Sequence, residues 1–124
     1  MIAADTSSMI AFLEGDTGDD ADVIASALRH RQLALPPAVL TELLSDPALP
    51  RTVRALLAGL PLLDLEPGFW ERAGLLRAAV LKHRRTARVA DALIAQSCLD
   101  QSTPLVTRDR DFRHFARAAG LSLL

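Results

Sequence analysis

Acidic side chains are the residues of this sequence best suited to chemistry, and two of them stand close together in the segment TRDRDF, residues 107–112. Asp109 and Asp111 follow the apolar run PLV, with arginines at 108 and 110. Like charges at this spacing raise one another's pKa values unless water or a cation compensates them. The segment is therefore typical either of a solvated turn or of a metal site.

The elements that position these acids can be assigned from the apolar pattern. Strand segments alternate with helical segments along the chain, and they are MIAAD (1–5), QLALPP (32–37), PLLDLEP (61–67), TPLVT (103–107) and LSLL (121–124). Helices are predicted from a cap at Thr6, Ser7 or Ser8, from Asp20 or Asp22 to about His30, from Pro37, and over 51–59, 68–83, 87–100 and 112–119. This order predicts one α/β domain over residues 1–124, with five short, mostly parallel strands in the order 3-2-1-4-5.

Four acids converge at one edge of that predicted sheet. Ligands of an open parallel sheet bind beyond the carboxyl ends of its strands, where the strand order reverses. Asp5 ends the first strand and Asp109 lies two residues past the fourth, and these strands are neighbours in the predicted order. Glu42 lies early in the helix after strand two, and Asp91 begins the helix that a right-handed crossover brings to the same edge. We call Asp5, Glu42, Asp91 and Asp109 the acidic edge.

The acidic edge suits a hard divalent cation. Oxygen ligands without histidine or cysteine favour Mg²⁺ or Mn²⁺ over zinc. Two such ions about 3.5–4 Å apart can activate a water and stabilise the leaving oxygen of a phosphodiester. Each acid also has a purely structural interpretation, as a helix cap, a partner of a helix dipole or an exposed charge.

Composition excludes several other classes of site. The single cysteine, Cys98, excludes an intramolecular disulfide and a cysteine-based zinc site, and its apolar surroundings predict a core position. His30, His83 and His114 are too far apart in sequence to suggest a metal cluster, and each is predicted to be an ordinary surface residue. No stretch is long enough to span a membrane and the N-terminus lacks a signal-peptide pattern, which predicts a cytoplasmic protein.

Charge gives no global indication of nucleic-acid binding, because the net charge is −1. The first half of the chain is acidic and the second half is basic, and the densest basic patch is KHRRTAR, residues 82–88. A solvated helix end and an RNA contact are both open interpretations of this patch.

Four segments together resemble a known family. In this order and spacing, MIAADTSSMIAFLEG, AVLTELLS, RVADALIAQSC and PLVTRDRDF resemble the PIN-domain ribonucleases, and more closely the VapC-type toxins of bacterial toxin–antitoxin pairs. The resemblance covers nearly the whole chain. It implies a three-layer α/β/α sandwich and an endoribonuclease that depends on one or two Mg²⁺ or Mn²⁺ ions per site.

The resemblance assigns roles to individual residues. Its catalytic and metal-binding acids match Asp5, Glu42, Asp91 and Asp109, with Glu42 binding directly or through water and Asp111 as an accessory acid. Thr107 is expected to orient the site by hydrogen bonding, and Ser7 stands where the family often has asparagine. The arginines expected to hold RNA phosphates are Arg88, Arg108 and Arg110.

The resemblance also implies partners. Such toxins usually form homodimers and are inhibited by a small cognate VapB-type antitoxin, which lays a peptide across the acidic edge. The antitoxin often supplies an arginine to the carboxylates and carries the DNA-binding domain, so DNA is contacted only indirectly. The apolar helices spanning 37–60 are the candidates for dimer or antitoxin contact, with ordinary core packing as the alternative.

The sequence leaves three other functions to compare with this one. A receiver-like Mg²⁺-binding signalling domain requires an acidic pair after strand one, whereas Asp5 stands alone there. A phosphatase of the haloacid dehalogenase type requires D-x-D at the first strand, and DTSS lacks it. A catalytically inactive PIN-like scaffold that binds RNA or a partner is the remaining alternative.

Overall fold

The fold is seen in a computed structural model that describes all residues from Met1 to Leu124. Three short strands are present: β1 (Ile2–Ala4), β2 (Leu33–Ala34) and β3 (Leu105–Val106). Seven helices accompany them: α1 (Thr6–Leu13), α2 (Asp19–Arg29), α3 (Pro37–Leu44), α4 (Arg51–Ala58), α5 (Phe69–Lys82), α6 (Val89–Asp100) and α7 (Phe112–Ala119). The predicted α/β class is therefore confirmed.

The sheet is parallel, with the order β2-β1-β3. The prediction of five strands is wrong in number. Segments 61–67 and 121–124 each form one isolated parallel bridge, between Leu62 and Leu35 beside β2 and between Leu123 and Leu105 beside β3. Each of these segments buries a single side chain, Leu63 or Leu121, so little apolar burial is available to hold a longer ladder.

Helix boundaries follow local chemistry. Pro37 opens α3, where its missing N–H costs nothing, and Gly120 ends α7 in the left-handed region at φ 76°. The prediction that Thr6, Ser7 or Ser8 caps the first helix is wrong. The cap is Asp5, whose Oδ1 accepts a hydrogen bond from the Ser8 N–H at 2.9 Å.

One hydrophobic core joins all the elements. It contains buried side chains from the three strands and from all seven helices, including Met9, Leu57, Ile94 and Phe115. Helix α1 packs against α2, α5 packs against α6 and α7, and α3 contacts both α1 and α6. This packing fixes the helix ends that border the carboxyl edge of the sheet. None of the helices has the length and apolar character needed to cross a membrane.

Candidate functional site

Asp5 lies directly after β1 and is buried. Its carboxylate accepts hydrogen bonds from the Ser8 N–H at 2.9 Å, from the Ser7 hydroxyl at 2.8–2.9 Å and from the Thr107 hydroxyl at 2.6 Å. Burial raises the pKa of Asp5, while the hydrogen bonds from Thr107, Ser8 and Ser7 partly offset that rise. The carboxylate is thus held in one orientation by groups from two neighbouring strand ends.

The loop after β3 explains the unusual segment TRDRDF. The Thr107 hydroxyl donates to Asp5 and accepts a hydrogen bond from the Asp109 N–H at 2.9 Å. Asp109 Oδ1 in turn accepts from the Asp111 N–H at 2.9 Å, which turns the chain into α7. Asp111 is the N-cap residue of α7, but its side chain makes no capping hydrogen bond. Asp109 is therefore both a structural acceptor and a neighbour of Asp5.

Asp91 lies in the first turn of α6, and its side chain is buried. Its Oδ2 atom is the one buried side-chain polar atom of the protein without a hydrogen-bond partner. Burial, followed by the negative charge of Asp109, raises the pKa of Asp91 to about 6. The charges of Glu42 and Asp5 act in the same direction, and Arg88 opposes them. A buried carboxylate in this state destabilises the fold unless a proton or a cation reaches it.

Glu42 lies in α3 and is exposed. Its Oε1 accepts a hydrogen bond of 2.6 Å from the Thr6 hydroxyl, which links α3 to the first residue of α1. Sequence reasoning missed this role of Thr6, which it considered only as a helix cap. Along α3, Leu43 is buried in the core, whereas Leu44 is exposed.

The four acids of the acidic edge act on one another electrostatically, since the other three all raise the pKa of Asp91. In this structure, no three acidic, histidine or cysteine side chains lie close enough together to hold one metal ion. Hydrogen bonds explain part of this spacing, because Thr107 and the two serines engage both oxygens of Asp5 and Thr6 engages Glu42. The unpartnered Asp91 Oδ2 and the all-oxygen donor set nevertheless fit a hard divalent cation.

The three arginines predicted to bind phosphate differ in their surroundings. Arg108 forms two hydrogen bonds with Asp20, of 2.8 and 2.9 Å, and lies 3.7 Å from Asp16. The hydrogen bonds from Arg108 lower the pKa of Asp20 to about 2. Arg88 and Arg110 are exposed and form no salt bridge. Phosphate binding by Arg108 stays a prediction, and its guanidinium already ties the β3–α7 loop to α2.

An apolar groove lies beside Glu42. Its volume is about 460 Å³, and its walls include Phe69 and Trp70 of α5 and Val89 and Leu93 of α6. Trp70 is 64% exposed and packs edge-on against Phe69, with ring centroids 5.0 Å apart. The groove gives the acidic edge an apolar flank close to the start of α6.

Of the remaining residues, Cys98, His30 and His83 lie where the sequence predicts, whereas His114 is less exposed than predicted. Cys98 is a free, buried cysteine, and burial raises its pKa to about 12. His30 and His83 are exposed. His114 is half-buried, with its Nδ1 lying 3.1 Å from the Thr86 carbonyl oxygen. These groups lie outside the acidic edge.

Residues 2–118 match the family model of the PIN domain. The chain belongs to the PIN-domain family. This match confirms the family resemblance of the four sequence segments and argues against the receiver-like alternative. PIN domains are generally nucleases, which supports a hydrolase. No curated protein matches the sequence significantly.

Several solved structures share the fold. VapBC2 from Rickettsia felis, bound to a promoter DNA fragment, has a TM-score of 0.76 and 20% identity, with coverage of 100% of this chain and 98% of that chain. VapBC-1 from nontypeable Haemophilus influenzae has a TM-score of 0.76 and 19% identity over 100% and 97%. FitAcB from Neisseria gonorrhoeae has a TM-score of 0.71 and 21% identity over 100% and 96%. At these identities the similarity shows a shared fold.

Proposed function

We propose that this protein is a divalent-metal-dependent endoribonuclease whose active site is the acidic edge. The observation that carries the proposal is the buried Asp91 Oδ2, which has no hydrogen-bond partner and lies in the field of three other carboxylates. Strongly perturbed carboxylates are typical of functional sites, because a purely structural acid gains nothing from such surroundings. Membership in a nuclease family supports phosphodiester hydrolysis as the reaction.

The proposed metal ligands are Asp5, Asp91 and Asp109, with Glu42 binding directly or through water and Asp111 as an accessory ligand. We expect one or two Mg²⁺ or Mn²⁺ ions. When bound, such an ion supplies an activated water and offsets charge on the leaving oxygen of the phosphodiester. A bound cation would then compensate the negative charge of the Asp91 carboxylate, which otherwise is protonated or has no partner.

The protein's own residues are proposed to orient this site. Thr107 and Ser7 hold the carboxylate of Asp5, and Thr6 holds Glu42, so the acids are fixed before the substrate arrives. Arg88 and Arg110 are exposed and are proposed to bind phosphate oxygens of the substrate. Asp91 is the exception, since nothing in the chain fixes its Oδ2.

Cleavage of total RNA by the purified protein tests the enzymatic proposal. We expect activity with Mn²⁺ or Mg²⁺, its loss in EDTA, and its loss in both Asp5→Asn and Asp91→Asn with unchanged circular dichroism. Asp22→Asn is the matched control, because Asp22 is an exposed first-turn acid of α2 without a salt bridge. Activity that persists in EDTA, or full activity in both variants, contradicts the proposal.

The catalytically inactive scaffold is the alternative that this assay separates. A scaffold binds RNA or a partner but leaves the RNA intact with either metal. It also gives no reason for Asp91 to remain ionisable in a buried position, because asparagine would fill the same space at a lower cost. RNA binding without cleavage at any metal concentration therefore selects the scaffold.

We further infer that the protein acts as the toxin of a type II toxin–antitoxin pair with a VapB-type antitoxin. Similar folds occur in the VapBC and FitAcB structures, and one related structure is described as a member of the VapBC family of toxin–antitoxin systems. The R. felis structure is of VapBC2 bound to a DNA fragment from its promoter. By analogy, we expect DNA contact here only through the antitoxin, and we expect the toxin itself to form a homodimer.

The proposed antitoxin surface lies between α1, α3 and α4, within the segment 37–60 and its neighbour α1. A groove of about 440 Å³ there is lined by Ile10, Leu13, Glu14, Glu42, Leu43, Asp46, Leu49, Pro50 and Val53. Its apolar floor and its three acids suit a peptide with apolar and basic side chains. Because Glu42 belongs to both this groove and the acidic edge, one peptide can cover both.

Co-expression with the protein encoded by the neighbouring gene tests this role. We expect a stable complex, inhibited RNA cleavage and a dimer of the toxin by light scattering. Ile10→Glu should weaken the complex, whereas Leu75→Glu on the exposed side of α5 should leave it intact. Equal retention of the complex by both variants contradicts the groove, and uninhibited cleavage within a stable complex contradicts the toxin role.

A further inference from the structure

Helix α7 and the residues just before it carry a basic face, and the phosphate contacts proposed for the acidic edge include only one of its residues, Arg110. Phe112 and Phe115 are buried against the core, with ring centroids 5.9 Å apart. Arg113 and Arg117 are four residues apart and exposed, so both lie on the solvent side of the helix. Arg110, just before the helix, is also exposed, and His114 is half-buried between them. We call Arg110, Arg113, His114 and Arg117 the basic face.

The charges of the basic face are not neutralised within the protein. All salt bridges of the chain are made by Arg72 and Arg108, with Asp100, Asp16 and Asp20 as their acids. The guanidinium groups of Arg110, Arg113 and Arg117 thus have no acidic partner. A helix face built for solubility alone normally interleaves both signs of charge, whereas this face carries one sign.

One end of the basic face meets the acidic edge. A shallow cavity of about 270 Å³ there is lined by Thr107, Asp109, Arg110 and Arg113, among others. Arginines and a proposed metal ligand therefore share one concave surface. A phosphate held by these arginines lies next to the place where hydrolysis is proposed to occur.

The other end of the basic face opens into a second cavity. Its volume is about 340 Å³, and its lining includes His83 and Arg85 from the loop after α5 and His114 and Arg117 from α7. No acidic side chain lines it. We call it the basic cavity. It brings part of the patch KHRRTAR together with α7, although the two segments are separated in sequence.

We propose that the basic face and the basic cavity bind the phosphate backbone of a single RNA strand whose reacting phosphate lies at the acidic edge. This inference rests on the proposed nuclease function and names the path of its substrate. The eight residues of α7 rise by roughly 12 Å, so cations repeat along a line and match a ligand with repeated negative charges. These cations lie along a single helix, which suits contact with the phosphate backbone of a single RNA strand.

The salt dependence of RNA binding tests this path. The titration uses a fluorescein-labelled, mixed-sequence single-stranded RNA in EDTA, read by anisotropy over roughly 50–200 mM KCl, where phosphate contacts dominate affinity. The variant is Arg113→Ala/Arg117→Ala. We expect about tenfold weaker binding at the lowest salt and a slope of log K against log salt smaller by about 1.4, since each contact to a single strand contributes about 0.7.

The matched control is Arg51→Ala/Arg54→Ala on α4, which removes two exposed arginines without salt bridges. We expect its affinity and slope to equal those of the unaltered protein. Equal losses in the two double variants would show a nonspecific effect of net charge and overturn the proposal. An unchanged slope in Arg113→Ala/Arg117→Ala also overturns the proposal. So does equal displacement of RNA by millimolar inorganic phosphate from the unaltered protein and from Arg113→Ala/Arg117→Ala.

RNA binding in EDTA tests the path along α7, and RNA cleavage with Mn²⁺ tests the nuclease function, so either proposal can fail without the other. Cleavage by the unaltered protein together with an unchanged slope leaves the nuclease standing and removes the path along α7. A reduced slope in a protein that never cleaves RNA keeps the path and removes the nuclease function. Absence of RNA binding by the unaltered protein overturns the path outright.

Discussion

The two ends of helix α6 carry aspartates in opposite states. Asp91, in the first turn, is buried, and its Oδ2 has no partner, so its pKa is raised to about 6. Asp100, the last residue, accepts hydrogen bonds from Arg72 at 2.6 and 3.1 Å and from Gln96 at 2.8 Å, which lower its pKa. A helix dipole alone favours an acid at the first position and disfavours one at the last. Burial at the first end and hydrogen-bond partners at the last end therefore outweigh the dipole.

This contrast separates acids that support the fold from acids that are available to a ligand. Asp20 belongs with Asp100, because Arg108 pairs with it and lowers its pKa to about 2. Asp91 is the opposite case, because burial raises its pKa and its Oδ2 has no partner; burial also raises the pKa of Asp5, although that carboxylate caps α1. The same side-chain type thus stabilises the apoprotein in one region and destabilises it in another.

The substitution Asp91→Asn is expected to have the largest effect on RNA cleavage. Removal of the charge should lower metal-dependent RNA cleavage by at least roughly a hundredfold, since mutation even of the groups around metal ligands often costs 10–100-fold. It should also raise the Tm of the metal-free protein at pH 7, because a neutral amide is less costly to bury than a carboxylate. Cleavage assays and calorimetry on the same preparation measure both effects. A lower Tm would place Asp91 among the structural acids.

The second expected effect is a fall in apoprotein stability as pH rises from about 4 to about 6. The folded pKa of Asp91, about 6, lies above its ordinary value of 3.8, so the folded state holds the proton more tightly in this window. The contribution of protonated Asp91 to the free energy of unfolding is fully present below pH 3.8 and is lost as pH rises through 6. The loss is up to about 2 kcal/mol for a partly hydrated carboxylate. Urea unfolding in EDTA at several pH values measures it.

Asp91→Asn should flatten that pH profile, and Mg²⁺ should do so in the unaltered protein. The acids whose pKa values are lowered, Asp20 and Asp100, act in the opposite direction and at lower pH. Their stabilisation is present above 3.8 and is lost as pH falls further. A rise in the stability of the metal-free protein between pH 4 and 6 would contradict the contrast between Asp91 and Asp100.

A smaller effect is expected for Thr107→Val, which removes the hydroxyl between Asp5 and Asp109 without a change of shape. The lost hydrogen bonds should cost about 1–2 kcal/mol of stability and lower cleavage about tenfold. Thr107→Ser keeps the hydroxyl and should retain most of both. Similar cleavage by the valine and serine variants would contradict an orienting role for this residue.

The smallest effect is expected for Asp100→Asn. Loss of the pair with Arg72 should lower the Tm by a few degrees, because the pair is partly exposed and screened by solvent. RNA cleavage should stay at the level of the unaltered protein. A loss of cleavage comparable to that of Asp91→Asn would mean that the two ends of α6 do not differ in function.

The sequence was informative where local chemistry decides the structure. The helix start at Pro37, the helix over 112–119 and the position of Asp91 at the start of a helix were predicted correctly. The strand count was not predictable in this way, because Leu62 and Leu123 form single bridges whose existence depends on the neighbouring strands. Apolar pattern alone does not separate one bridge from a strand.

Long-range pairing also escaped prediction. Arg108 and Asp20 are 88 residues apart, and nothing in TRDRDF indicates that its first arginine is bound to α2. The same holds for Thr6 and Glu42, 36 residues apart. Such pairs depend on how helices pack at the edge of the sheet. The basic cavity is a similar case, since His83 and Arg117 meet only in the folded chain.

Trp70 gives the protein a built-in optical probe. It is the single tryptophan of a chain that contains no tyrosine, and it stands exposed in the wall of the groove that Glu42 borders. All indole emission therefore arises from one place beside the acidic edge. Occupation of the groove, by a nucleotide base or by a peptide, should shift that emission toward shorter wavelength as water leaves the ring. Ligand binding can then be followed in the unlabelled, unaltered protein, in real time and with every proposed catalytic residue still in place.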